Sequence, residues 1–230
     1  MSFETTIRLT EMLLGFAFVL QSIEHLFSYK NERRIFLPRL LLAILLIIGY
    51  QTAWVIFLLF LLGLVILHRF QGPYNGGADR MSLLILSCLC LVYLLPTQRW
   101  QEVALGYLAL QLILSYFISG WVKIKNPQWR NGQALSDVFQ FSAYPVSESL
   151  RRWANTPRLL LFMSWGVILF ELLFPFSLIT YTSLSIALVI TASFHFSNAC
   201  LFGLNRFFWI WIAAYPSIIW FQQRILMTTN

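Results

Sequence analysis

The stretch from Ser115 to Arg130 reads Ser-Tyr-Phe-Ile-Ser-Gly-Trp-Val-Lys-Ile-Lys-Asn-Pro-Gln-Trp-Arg and places a lysine at the end of a long apolar run. The run, Val103 to Val122, contains no charged residue and is long enough to cross a bilayer as a helix. Lys123, which follows it, either extends towards the lipid headgroups or lines a polar cavity inside the membrane. The second alternative makes Lys123 a candidate functional residue.

The composition of the whole chain indicates a membrane protein. Of its 230 residues, 59% are hydrophobic and 11% are charged. A water-soluble fold could not bury that much apolar surface. The net charge of +7 comes from basic residues spread over loops between apolar runs. This distribution favours loops that face anionic lipid over a nucleic-acid interface.

The three cysteines form no Cys-x-x-Cys pair, which argues against a dithiol or zinc site.

The lengths of the apolar runs predict an all-α polytopic membrane bundle of about eight transmembrane helices. Phe36 to Leu67 would be roughly 48 Å long as one helix, against a hydrocarbon core of about 30 Å. We therefore predict two helices that break at Gly49-Tyr50-Gln51-Thr52. With this break, most Lys and Arg residues fall on one side of the membrane, as the positive-inside rule requires, and both termini lie outside. Arg158 to Cys200 is also too long for one span and is predicted to turn near Pro175.

Helix one, predicted from Ile7 to Phe27, carries two groups of polar residues. Arg8 and Glu11 have the spacing of an intrahelical ion pair. The second group shares one face, which we expect to turn inward: Gln21, Glu24 and His25.

The remaining segments complete a single predicted domain over residues 1–230. The Gly-rich and Asn-containing stretch from His68 to Arg80 predicts a loop, with Asp79 capping a helix from Met81 to Leu95. Residues 126–157 predict an interfacial amphipathic segment of two short helices on the membrane surface. The second of these helices is predicted to begin at Pro145.

Several crossings place ionisable or strongly polar groups at or near membrane depth. Glu171 lies in Ile-Leu-Phe-Glu-Leu-Leu-Phe-Pro, where an unpaired carboxylate would cost several kcal/mol. His195 and Asn198 lie one helical turn apart and therefore face the same side. If Lys123 converges with Glu171 and His195, removal from water favours the neutral lysine, which can then act as a base.

Two interpretations of these polar residues stay open. They form either a functional pocket, lined also by Tyr116, Glu24 and His25, or an interhelical polar lock that only joins helices. The three histidines lack His-x-x-x-His and Glu-x-x-His spacing, so no metal site is expected. A site shared by His25 and His195 is the one arrangement left open.

Several motifs together carry a resemblance to a known family. They are Phe117-Ile-Ser-Gly-Trp-Val-Lys123, Trp129, Glu171 and Phe194-His-Phe-Ser-Asn198-Ala-Cys-Leu-Phe202. The chain resembles the membrane domain of the vitamin K-dependent γ-carboxylase superfamily, including the bacterial proteins grouped as horizontally transferred transmembrane (HTTM) domains. The stretch Asn75-Gly-Gly-Ala-Asp-Arg80 is similar to a loop of the bacterial members.

The resemblance implies an enzyme with a reduced quinone, similar to vitamin K, as cofactor. By this resemblance Lys123 matches the lysine that serves as catalytic base towards the reduced quinone, in a reaction that also consumes dioxygen. His195 and Asn198 would line the same cavity. Asn75-Gly76-Gly77 stands where the carboxylases carry an Asn-His pair, and the chain ends at Asn230 without their large extramembrane domain. These two differences argue against carboxylation of a glutamyl peptide.

The competing hypothesis is a non-catalytic scaffold or assembly subunit of a larger membrane complex. In that case the polar residues are structural, and the segment 126–157 docks a partner protein in the same membrane. Under both hypotheses we expect contacts with membrane lipid, no nucleic-acid partner, and a multi-pass location in the bacterial cytoplasmic membrane.

Overall fold

The computed structural model describes residues 1–28, 32–69, 76–141 and 148–228. These residues are helical almost throughout, and the described part contains no strand. The α-helices are α1 (Phe3–Ser28), α2 (Arg33–Ile48), α3 (Thr52–Arg69), α4 (Gly76–Leu94), α5 (Gln98–Lys125), α6 (Pro127–Arg130), α7 (Gln133–Phe141), α8 (Glu148–Arg151), α9 (Pro157–Leu173), α10 (Tyr181–Phe202) and α11 (Asn205–Thr228). Two 3₁₀-helices span Arg152–Asn155 and Phe174–Ile179.

Six of the described helices are long and apolar enough to cross a membrane. They are α1, α3, α4, α5, α9 with the 3₁₀-helix that follows it, and α10. The predicted all-α polytopic membrane fold is therefore confirmed. α2 has 16 residues and α11 has 24, and the total of eight crossings stays a prediction.

The predicted break between α2 and α3 is present. α2 ends at Gly49, whose φ of 85° lies in the left-handed region that glycine adopts readily. Arg8 of α1 donates to the carbonyl oxygen of Leu46 at 2.8 Å and to that of Ile47. A charged side chain thus satisfies carbonyl groups at the end of α2 that have no partner within the helix.

Two predictions about the segment before α4 are wrong. Gly76 to Arg80 is helical and not a loop, and Asp79 lies within the first turn of α4 and not at its cap. The reason is packing, since a Cβ added to Gly77 would meet the ring of Phe207 at 2.7 Å. This close tertiary contact outweighs the low helix propensity of glycine. The loop prediction for residues 70–75 and the helix start at Pro145 lie outside the described residues.

The chain forms two compact units. Unit 1 comprises Met1–Leu110 and Leu204–Asn230, and unit 2 comprises Gln111–Gly203, so that α5 contributes to both. In unit 1, α1 packs against α2 and α11, while α3 packs against α2 and α4. The most deeply buried large side chains of unit 1 include Phe18 and Phe36.

In unit 2, α9 and α10 are joined by the 3₁₀-helix Phe174–Ile179, so the predicted turn near Pro175 is confirmed. Thr180 and Ser183 form a capping box at the start of α10. Two short helices were predicted for residues 126–157, and the described part of this segment contains helices at 127–130, 133–141 and 148–155. Within them Phe139 is buried against the rings of Trp153 and Phe202, which lie 5.7 and 5.2 Å away.

Candidate functional site

A buried ion pair joins α5 and α9 in unit 2. Nζ of Lys123 donates to Oε1 of Glu171 at 2.8 Å and to its Oε2 at 2.6 Å. The two side chains are 15% and 7% exposed. Because each charge is matched by the other, neither carries the full cost of an unpaired charge in a poorly hydrated site. The Lys123 ammonium thus turns towards a second helix.

Two more groups of unit 2 contact the Lys123 ammonium. The Ser119 hydroxyl, one turn earlier in α5, accepts a hydrogen bond from Nζ at 2.5 Å. The ring of Trp129 in α6 lies with its centroid 5.1 Å from Nζ, within the range of a cation–π contact. The ammonium therefore has a carboxylate, a hydroxyl and an aromatic face as neighbours.

The short helix α6 is fastened to α9. The Ser164 hydroxyl donates to the carbonyl oxygen of Trp129, and Nε1 of Trp165 donates to that of Arg130 at 3.0 Å. Asn126 caps the start of α6 by accepting from the amide of Gln128 at 2.9 Å. These bonds fix the backbone that carries the Trp129 ring.

A glycine permits the close approach of α5 and α9 beside the ion pair. A Cβ added to Gly120 would lie 2.8 Å from the backbone nitrogen of Leu172 and 3.0 Å from Cβ of Glu171. Since the nearest of these atoms belongs to the backbone, no side-chain movement relieves the clash. Gly120 thus allows the helix spacing at which Lys123 reaches Glu171.

A second polar pair lies two turns earlier in α5. The Tyr116 hydroxyl and Nε2 of His195 are hydrogen-bonded at 3.0 Å, and both side chains are buried. The ring of Phe174 packs against Tyr116 at a centroid distance of 4.3 Å. His195 also lies within electrostatic range of Lys123. Asn198, one turn beyond His195, is half-buried. Unit 2 therefore contains two polar pairs, Lys123 with Glu171 and Tyr116 with His195.

The polar residues of α1 have partners within unit 1. The predicted pair of Arg8 and Glu11 is present at 3.1 Å, and the Tyr93 hydroxyl also donates to Glu11, at 2.5 Å. His25 is buried and hydrogen-bonded to Glu32 and to Arg206.

The prediction that Glu24 turns inward is wrong. Its side chain is 51% exposed and lies 3.5 Å from a nitrogen of Arg206, whereas Gln21 and His25 are buried. The cause is helical geometry, because Glu24 and His25 are about 100° apart around the axis. Gln21, Glu24 and His25 lie on one broad side of α1, but Glu24 is at the edge of that side and is therefore exposed.

Sequence reasoning missed Arg39 and misassigned Asp79. Arg39 lies in α2 and is buried, as is Asp79 in α4. The sequence did contain a signal for the burial of Arg39. Arg39 falls at helical spacing with the apolar residues that form the buried face of α2, which are Phe36, Ala43 and Leu46. The described residues contain no group of three or more His, Cys, Asp and Glu residues that could hold a metal ion.

Comparison with known protein families gives a match. The model of the HTTM domain matches residues 93–223, which is more than half of the chain and includes Lys123, Glu171, His195 and Asn198. No curated protein and no solved structure matches the sequence. The length of the matched segment and the apolar helices of the structure agree, and the chain therefore belongs to the HTTM family of multi-pass membrane proteins.

Proposed function

We propose that unit 2 binds a membrane-soluble ligand of the reduced-quinone class beside Lys123, and that Lys123 and Glu171 act together to accept a proton from it. The observation that carries this proposal is the buried contact between the two side chains, at 2.6 and 2.8 Å. Ionisable residues inside a membrane are expensive, and those that persist commonly serve a function. Membership of the HTTM family supports the same assignment.

The side chains around the pair suit a ring that carries hydroxyl groups. Trp129 offers an aromatic face next to the ammonium, and aromatic rings stack well on such faces. Tyr116, on the same helix as Lys123 and hydrogen-bonded to His195 of α10, offers a second polar contact. A reduced quinone would supply the electrons for an oxygen-linked reaction.

The ion pair holds a proton that can move between its two members. Transfer from Nζ of Lys123 to the carboxylate of Glu171 leaves a neutral amine and a neutral carboxylic acid. The amine can then take the proton of a ligand hydroxyl and become an ammonium again. The ammonium then stabilises the negative charge left on the ligand oxygen. Lys123 thus serves both as the general base and as the counter-ion.

Lys123→Arg tests this role because it keeps the positive charge but removes a group that can be deprotonated. We expect the variant to retain quinone that is extracted with the purified protein and identified by mass spectrometry. We also expect it to lose the oxygen uptake that added reduced quinone produces in the wild-type protein. Lys123→Met should lose both properties.

Lys125→Arg is the matched control, because Lys125 ends the same helix and is exposed. It should retain both the extracted quinone and the oxygen uptake. If the wild-type protein carries no quinone, and if Lys123→Arg behaves like Lys125→Arg, the enzymatic proposal fails.

The alternative function is that of a non-catalytic subunit that binds a partner protein. An observation in α7 favours it, since Phe141 is 71% exposed within the segment 126–157. In that case Lys123→Arg leaves the cellular phenotype unchanged, whereas Phe141→Asp prevents co-purification of the partner.

We place the chain in the bacterial cytoplasmic membrane with the segment 126–157 on the cytoplasmic side. Support comes from the positive-inside rule, since most Lys and Arg residues then face the cytoplasm. A cysteine introduced at Gln133 should resist labelling by an impermeant reagent added outside. Labelling from outside would contradict this orientation.

A further inference from the structure

A second group of polar side chains lies at one end of unit 1. Gln21 and His25 come from the last turns of α1. Three other residues come from the first two turns of α2, α4 and α11: Arg39, Asp79 and Arg206. Four of the five are buried, and the side chain of Arg206 is 16% exposed. Only Arg206 falls within the segment matched by the HTTM model.

Arg39 is the most unusual member of this group. The residue is 3% exposed, and its guanidinium carbon lies 4.1 Å from the centre of the Phe18 ring and 5.8 Å from that of Phe36. Its Nη1 has no hydrogen-bond partner among the described residues. Aromatic faces attract the charge but do not accept its N–H hydrogens as an oxygen does. Arg39 therefore retains the capacity to bind an oxygen acceptor.

The charges around Arg39 favour an acceptor that is negative. Arg39 and Arg206 repel one another, and both act on the single buried carboxylate of Asp79. Arg206 is also 3.5 Å from Glu24, but that carboxylate is largely exposed and correspondingly screened. The amino-terminal ends of α2, α4 and α11 add partial positive charge. The described residues show no carboxylate in contact with Arg39, whereas Glu24 contacts Arg206 and Glu32 contacts His25.

Asp79 restricts the kind of anion that fits. Its side chain is buried, but it makes no ion pair with Arg39 within the described residues. A bare anion next to this carboxylate would be repelled. An anion that also carries hydroxyl groups can donate to Asp79 while it accepts from the arginines.

We propose that this end of unit 1 binds a phosphate ester bearing hydroxyl groups, the chemistry of a phosphatidylglycerol headgroup. Arg39 and Arg206 donate to the phosphate oxygens, and Asp79 accepts from the glycerol hydroxyls. Basic pockets between membrane helices are established sites for anionic headgroups. The partly exposed side chains of Arg206 and Glu24 mark the side from which the headgroup enters.

The test measures binding to the purified full-length protein in neutral detergent by native mass spectrometry and thermal shift. The probes are phosphatidylglycerol, phosphatidylcholine and glycerol 3-phosphate. Arg39→Gln and Arg206→Gln should each weaken phosphatidylglycerol binding about tenfold or more, because each removes a donor to the phosphate. Arg34→Gln removes an exposed charge from the same end of α2 and should change the affinity by less than about twofold.

Each outcome decides the proposal. Selective binding of phosphatidylglycerol supports it and identifies a lipid as the source of the phosphate. Competition by glycerol 3-phosphate at similar concentration also supports it and identifies a soluble ester. Equal binding of phosphatidylglycerol and phosphatidylcholine overturns it, as does an equal effect of Arg34→Gln. If Arg39→Gln does not fold, Arg206→Gln alone decides, since its side chain is partly exposed.

Discussion

Each unit buries a basic and an acidic side chain, but the two pairs differ in what the charged groups contact. The residues are Lys123 and Glu171 in unit 2, and Arg39 and Asp79 in unit 1. The lysine and its carboxylate are in direct contact at 2.6 Å. Arg39 contacts aromatic rings, and Asp79 is buried without an ion pair among the described residues. The difference shows that burial alone does not define the role of a charged residue. A matched pair can exchange a proton internally, whereas an arginine without a contacting carboxylate is suited to binding an external anion.

The largest effect should come from breaking the matched pair in unit 2. Glu171→Leu leaves the Lys123 ammonium buried without its counter-ion, and we expect a loss of about 3–5 kcal/mol of unfolding free energy. Thermal or denaturant unfolding in detergent measures it. Adding Lys123→Met to Glu171→Leu should restore most of the loss. A double variant as unstable as the single one would show that the pair does not act as a unit.

A smaller effect should come from the helix contacts beside each site. Gly120→Ala in unit 2 should cost about 1–3 kcal/mol, because its Cβ meets a backbone nitrogen at 2.8 Å. Gly77→Ala in unit 1 should cost less, since its Cβ meets the Phe207 ring, which can rotate. Gly166→Ala is the control, with no atom within 4 Å of its Cβ. Equal stability of all three variants would contradict this ranking.

Removal of one hydrogen bond between α6 and α9 should have a moderate effect. Ser164→Ala deletes the donor to the carbonyl of Trp129 and should cost about 1 kcal/mol. The tryptophan fluorescence of the folded protein should change as well, because Trp129 loses an anchor. Ser193→Ala removes only a bond within α10 and should leave the fluorescence unchanged.

The smallest expected quantity is the coupling between Arg39 and Asp79. In a double-mutant cycle with Arg39→Gln and Asp79→Asn, we expect a coupling below about 1 kcal/mol, because the residues are not in contact. The corresponding cycle for Lys123 and Glu171 should give about 3 kcal/mol. A coupling in unit 1 as large as that in unit 2 would remove the distinction between the two regions.

Much of the fold follows from chain length and apolar content. The break at Gly49 was predictable because a 32-residue helix exceeds the thickness of a bilayer, and the turn near Pro175 was predictable for the same reason. The start of α4 was not, since it depends on the packing of Gly77 against Phe207. Local composition contains no information about a partner more than a hundred residues away in the sequence.

The candidate site was predictable in part. Lys123, Glu171 and His195 stood out because charged and polar residues are rare inside apolar runs. The sequence did not indicate the contributions of Trp129, Ser119 and Gly120 to this site. They depend on distances in the folded chain, which the spacing of residues along the sequence does not determine. Arg39 was missed because it lies near a basic turn, where an arginine is usually exposed.

The short α2 has a consequence for the lipid around it. Sixteen residues of helix are about 24 Å long, less than the hydrocarbon thickness of about 30 Å, and Gly49 and Arg8 close its end. A bilayer accommodates such hydrophobic mismatch by thinning locally or by drawing polar groups inward. The hairpin of α2 and α3 is therefore expected to create a depression in the membrane surface, where water and headgroups approach the protein more deeply than elsewhere.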